Sequence, residues 1–253
     1  MLEVTAPRDA TLRAPRVPLF PIAATGIGYV APDGVRLLTG VSLRLEAGRR
    51  TVVMGPNGAG KSLLLRILHG LIQPTEGAVT WAGLAPGDTV RARQAMVFQR
   101  ATLLRRSAEA NIRFVLSGLP REEAAERTAA ALARARLTHV AASPARLLSG
   151  GEQQRLAIAR ALALEPDVLF LDEPCASLDP ASTAAVEDMV ETAHAEGTRI
   201  VLVTHDIGQA RRLADDVVFM HAGRLAEHTT ADRFFAEPAS AGARDYLAGR
   251  IPR

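Results

Sequence analysis

Between Gly55 and Ser62 the sequence reads GPNGAGKS. The spacing fits G-x-x-x-x-G-K-[ST], a loop that wraps phosphate groups. Gly55, Gly58 and Gly60 let the backbone come close to an anion without Cβ clashes. Pro56, Asn57 and Ala59 fill the loop between them, and Leu63 continues into the helical pattern that follows. The amides of that helix N-terminus then face the anion. Lys61 supplies a compact positive charge for the terminal phosphates, and the Ser62 hydroxyl is suited to ligating Mg2+. Lys61 is also the sole lysine; every other residue among the 30 lysines and arginines is arginine. Arginine serves for surface charge, but a wide planar guanidinium does not suit the inside of a phosphate nest. A glycine-rich turn that matches by chance is the bland alternative. An apolar run before the loop and a helical one after it weigh against that alternative.

VLFLDEP, residues 168–174, reads as the second half of the same site. Its apolar run predicts a buried strand that delivers Asp172 at its C-terminal end, where open α/β sheets bind ligands. Asp172 would hold Mg2+ through water, and Glu173 is placed as a general base for an attacking water. Two acids at the end of a strand, met alone, would more simply cap a helix or make a turn. The phosphate loop upstream reverses that preference.

Three textures position these residues. Residues 19–95 carry short β-like runs punctuated by glycine: 35–48 alternates as a half-buried antiparallel strand does, 50–55 reads as a buried strand, 62–71 as a helix and 77–83 as a strand. From residue 100 the chain turns rich in alanine, glutamate and arginine with helical periodicity. Strand and helix then alternate: helix at 152–164, strand at 167–172, helix at 181–197, strand at 199–205, and a hairpin at 216–228 turning on Ala222-Gly223. Strands alternating with helices imply a mostly parallel sheet covered on both faces. The expected architecture is α/β: a mostly parallel sheet core, an N-terminal antiparallel β-subdomain and an inserted α-helical lobe. Its expected divisions are a leader at 1–18, a main domain at 19–235 with the lobe at about 100–164, and a short tail at 236–253.

At this point the residues resemble a family, the ATP-binding cassette (ABC) ATPases. LLSGGEQQR (147–155) is similar to the signature motif of that family, just upstream of LFLDEP. Gln99 in MVFQR resembles the Q-loop glutamine, Asp179 in ASLDP the D-loop, and His205 in VLVTHD the switch histidine. Tyr29 resembles the aromatic that stacks on adenine. Singly, Gln99 reads more simply as a strand-end cap and His205 as a core histidine. The phosphate loop, LFLDEP, the signature, Gln99, Asp179 and His205, six elements in register, are far more specific than any one. The resemblance implies ATP and Mg2+ as cofactors, catalysis by Glu173, His205 and Gln99, and Mg2+ contacts from Ser62, Gln99 and Asp172. Ser149, Gly150, Gly151 and Glu152 would meet the nucleotide bound to a second copy, Ser149 to Gly151 offering amides ahead of a helix expected to begin near Glu152. This implies a head-to-tail homodimer with two ATP molecules sandwiched between loop and signature. The resemblance departs at Cys175, where the family has threonine or a similar residue; Cys175 reads as a small hydrophobe that is also oxidisable.

Composition narrows the partners. The formal charge is only +3, and the arginines are scattered rather than drawn into a stripe, so nucleic acid is not expected as a partner. No run approaches the ~20 apolar residues of a bilayer span, and the N-terminus lacks the apolar core of a secretory signal. A single cysteine fits a reducing compartment. The expected place is the cytoplasmic face of a membrane, reached through a separate permease whose coupling segment meets residues 102–112. An extracytoplasmic binding protein is an indirect partner. The local wording most resembles the tungstate-type oxyanion importers, then those for phosphate; molybdate is a further candidate. The alternatives are an ABC ATPase that powers export and a nucleic-acid-linked ATPase.

Overall fold

The computed structural model describes residues 19–250, so the expected leader at 1–18 lies outside the described residues. The chain opens with β1 (Ile22–Val30), β2 (Arg36–Leu45) and β3 (Arg50–Met54), followed by α1 (Lys61–His69), β4 (Glu76–Trp81), a single turn α2 (Asp88–Arg91) and β5 (Gln94–Val97). It then leaves the sheet for α3 (Ala108–Val115), α4 (Arg121–Arg134), two 3-10 turns and α5 (Gly150–Leu162). β6 (Val168–Asp172), α6 (Pro180–Ala195), β7 (Arg199–Val203) and α7 (Ile207–Leu213) restore the alternation. A hairpin of β8 (Asp216–His221) and β9 (Arg224–Thr230), then α8 (Ala231–Ala236) and α9 (Ala241–Leu247), complete the described chain.

Two sheets result. β2-β1-β4 is antiparallel throughout. The larger sheet runs β5-β6-β7-β3-β8-β9, parallel except for β9. Its strands alternate between two cores, as a two-residue repeat requires. Val52, Met54, Leu169, Leu171, Ile200 and Leu202 enter one core with the helices of the inserted lobe and α6. Val53, Val168, Phe170, Val201 and Val203 enter the other with α1 and the antiparallel sheet. Burial on both faces explains why these strands read as unbroken apolar runs.

The β8–β9 turn falls at Ala222-Gly223 as expected, with φ of 45° and 73°. Two positive φ values are what a two-residue hairpin turn of the right twist needs. At the C-terminus the expected boundary after 235 falls inside α8. Phe234 and Tyr246 both pack on Phe219 of β8, at ring centroid distances of 5.8 and 5.4 Å. The described part of the expected tail is therefore docked on the sheet.

Candidate nucleotide site

The loop from Gly55 to Gly60 joins the end of β3 to the start of α1. All three glycines have positive φ: 142° at Gly55, 79° at Gly58 and 92° at Gly60. Their reasons differ. A Cβ on Gly55 would lie 2.1 Å from the Met220 carbonyl oxygen of β8, and one on Gly60 would lie 2.6 Å from Leu38. A Cβ on Gly58 would meet nothing within 4 Å. Sequence reasoning assigned all three to the approach of an anion; two of them also answer to close protein neighbours. Gly55→Ala should therefore lower stability by about 2–4 kcal/mol, the sum of backbone strain and overpacking. Gly58→Ala should cost about 1 kcal/mol, from strain alone. Thermal unfolding of both variants measures the difference, and equal losses would refute the clash.

Lys61 opens α1 and is 5% exposed. Its Nζ donates to the carbonyl oxygens of Gly55 (2.9 Å) and Pro56 (3.1 Å), so the ammonium lies over the loop. Burial pulls its pKa down, while the charges of Glu173 and Asp172 push it up. Leu63, in the same first turn, packs on the second core. Pro56 is half-buried, Asn57 exposed and Ala59 buried, so Ala59 anchors a loop whose crest faces outward.

β6 brings the acids to this loop. The Ser62 hydroxyl donates to Asp172 Oδ1 at 2.6 Å, and Asp172 is 2% exposed. Arg66, one turn further along α1, stands 3.6 Å from Asp172 Oδ2 and 5.9 Å from the Phe98 ring centroid. The motifs gave no role to Arg66; its position one helical turn after Ser62 was the available signal. Hydroxyl and carboxylate oxygens are the hard donors that Mg2+ takes, and that ion is usually completed by substrate phosphates and water. Ser62 and Asp172 thus fit Mg2+ and would hold it, where it would neutralise charge on a transferring phosphoryl group.

Glu173 sits one residue past β6. Its amide donates to the Val203 carbonyl at 2.9 Å and its φ is 49°, a left-handed conformation uncommon outside glycine. The turn sends its carboxylate to His205, whose Nδ1 is 3.1 Å from Glu173 Oε2. His205 is exposed and follows the end of β7, so the reading of it as a core histidine does not hold. Adjacent parallel strands β6 and β7 therefore present an acid and an imidazole side by side at their C-terminal ends.

Gln99 lies two residues past β5, exposed, next to the Phe98 that Arg66 covers. Tyr29 is half-buried on β1, where it pairs with Leu38 of β2. Leu38 is the side chain against Gly60, so the antiparallel sheet bears on the phosphate loop at this pair.

The signature residues lie at the start of α5. The helix begins at Gly150 rather than near Glu152, because Ser149 is its N-cap in a capping box with Glu152. The Glu152 carboxylate accepts from the Ser149 amide (2.8 Å) and hydroxyl (2.7 Å), which holds its pKa below the usual carboxylate range. One oxygen of its carboxylate, Oε2, is therefore taken up by the cap. Gly151 has a packing reason: a Cβ there would lie 2.2 Å from Ser182 Oγ of α6. Asp179 likewise caps α6, accepting from the Ser182 amide (2.9 Å) and hydroxyl (2.6 Å). The hydrogen bonds of Ser149 among the described residues stay within its own turn, so no bond ties the signature to the phosphate loop. Cys175 is half-buried against the first core, and burial pushes its thiol up to about 11. A neutral thiol is a poor nucleophile, which favours the packing reading over the oxidisable one.

Fold and site together define a P-loop nucleotide-binding protein: a parallel sheet with phosphate loop, magnesium-type acid and base at one end. The comparisons are more specific. The ABC transporter family model matches residues 38–176. The chain is 36% identical over 254 residues to a phosphate import ATP-binding protein, PstB 2, of Natronomonas pharaonis, spanning 91% of this chain and 87% of that one. It is 39% identical over 205 residues to the tungstate uptake system ATP-binding protein TupC of Peptoclostridium acidaminophilum, spanning 80% and 94%. Its structure aligns with the ATP-binding cassette MJ0796, a dimer in a post-hydrolysis state bound to ADP and Pi, with a TM-score of 0.75. That alignment has 28% identity and covers 83% of this chain and 98% of the other. The chain belongs to the ABC transporter family, as an ATP-binding cassette with ATPase activity.

Proposed function

We propose that this cassette is the ATP-hydrolysing subunit of an importer that carries an oxyanion, tungstate first, then phosphate or molybdate. The observation that carries the ATPase reading is the convergence of Ser62 on Asp172 (2.6 Å) and His205 on Glu173 (3.1 Å) beside the lysine of the phosphate loop. Lys61 and the loop amides hold the phosphates, Glu173 takes a proton from the attacking water, and His205 orients and stabilises that acid. Gln99, exposed just past β5, would contact the terminal phosphate and Mg2+, as its resemblance to the Q-loop glutamine implies. Tyr29 offers an aromatic face to adenine.

A second copy completes the site. Ser149, Gly150 and Gly151 form a capped helix N-terminus, the kind of backbone end that suits a phosphate. The dimeric state of MJ0796 supports a dimer here, which the position of the signature would make head-to-tail. ATP closes the dimer and hydrolysis releases it, a two-state element biased by a phosphate. No described helix is long and apolar enough to cross a membrane. The chain would therefore reach the membrane through permease subunits, with an extracytoplasmic binding protein delivering the cargo.

The oxyanion reading rests on the similarity to phosphate import and tungstate uptake ATP-binding proteins. The test is reconstitution with a permease that co-purifies with the cassette and with its binding protein. ATPase activity should rise severalfold with tungstate, molybdate or phosphate. L-methionine is the control, because a methionine import ATP-binding protein is also a relative. Stimulation by methionine alone would overturn the oxyanion cargo and leave the ATPase assignment standing.

A further inference from the structure

His205 stands on an exposed loop after β7, yet a group that orients a catalytic acid must be held in place. Its imidazole is met by Glu173. Its backbone is met from the far end of the chain, where the Tyr246 hydroxyl in α9 donates to the His205 carbonyl oxygen at 3.1 Å. The helix that carries Tyr246 is itself tied down. Glu227 on β9 is buried, and its carboxylate accepts from the amides of Ala239 and Ser240, both at 3.0 Å. Ser240 then caps α9 by accepting from the Ala243 amide at 3.1 Å. Ala243 is buried, and the Tyr246 ring packs on Phe219 at 5.4 Å between centroids. The aromatic ring fixes the helix through the core; the hydroxyl adds one directed bond to the loop that bears the imidazole.

We propose that Tyr246 is a positioning residue for ATP hydrolysis, its hydroxyl bond to the His205 carbonyl keeping the imidazole in place at Glu173. The inference rests on the reading of His205 as part of the hydrolytic site. Tyr246 lies outside every motif of the sequence and some 40 residues beyond the histidine it serves. A C-terminal helix that looks like a simple cover for the sheet thereby acquires a second task at the site.

Tyr246→Phe keeps the ring and removes the bond. In the full chain, kcat for ATP should fall on the order of threefold to tenfold, the worth of one hydrogen bond. KM for ATP should stay within twofold, and the melting temperature should hold. In a His205→Ala background the same change should cost nothing further, because two residues acting through one contact are not additive. Unchanged kcat in Tyr246→Phe would overturn the proposal. So would an equal fractional loss in the His205→Ala background, or a loss of kcat that tracks a lowered melting temperature and a raised KM. If His205→Ala itself turns over at the wild-type rate, the reading of His205 fails and the proposal falls with it; that result is separate from a failure at Tyr246 alone.

Discussion

Glu173→Gln should bind ATP as tightly as the parent chain and hydrolyse it on the order of 10²–10⁴ times more slowly. Glutamine matches glutamate in shape, so the turn after β6 and the amide bond to Val203 should survive. A side-chain oxygen also remains to accept from the imidazole of His205. What is lost is the capacity to take a proton from water. The left-handed φ of 49° supports a functional reason for this acid. A non-glycine residue in that conformation costs energy, and here the strain aims the carboxylate at the neighbouring strand end. The contact with His205 then fixes it. Nucleotide titration and steady-state ATPase assays read the two halves of the expectation separately. If hydrolysis opens the dimer as proposed, the variant should also accumulate as an ATP-bound dimer on size-exclusion chromatography. Turnover within threefold of the parent would defeat the base assignment. Loss of ATP binding instead would mean that Glu173 serves the loop, through its charge on Lys61, more than the water.

The sequence carried the centre of this site better than its edges, for reasons visible in particular residues. The runs at 50–55, 167–172 and 199–205 are legible because both sheet faces are buried, so their central positions select apolar side chains. β1 was read only as part of a β-like region. Its pairing with β2 shifts register between Ala24 and Ile27 and again around Tyr29, which breaks the two-residue alternation. β5 is four residues long, too short to show a period. At the site, a residue whose chemistry is local could be read from type and spacing, as with Lys61, Ser62 and Asp172. A residue defined by a partner far along the chain could not: Arg66 meets Asp172 across α1 and β6, and Tyr246 meets His205 from α9. The signature was misread by two residues at its helix start because the glycines look like loop. Ser149 and Glu152 form a capping box that draws both glycines into the first turn.

Lys61→Arg is the second large effect, and it follows from shape rather than charge. The site holds an ammonium 5% exposed, with Nζ 2.9 and 3.1 Å from two carbonyl oxygens of its own loop. A guanidinium is planar, wider and longer, and its five donors point outward as a fork. It cannot sit over Gly55 and Pro56 without lifting the loop, and Gly55 has no room to yield toward Met220. ATP affinity should fall at least tenfold and turnover on the order of 10²–10³, the usual loss when a charge on a transferring group is misplaced. Lys61→Met, which keeps an unbranched stem and removes the charge, separates the two causes. If shape decides, the arginine variant should be no better than the methionine variant in either assay. If charge alone decides, arginine should recover most of the parent activity and the argument from the nest fails. The chain itself favours the first outcome. It places arginine at every other basic lysine-or-arginine position and keeps lysine at the one position where the cation must lie inside a backbone loop.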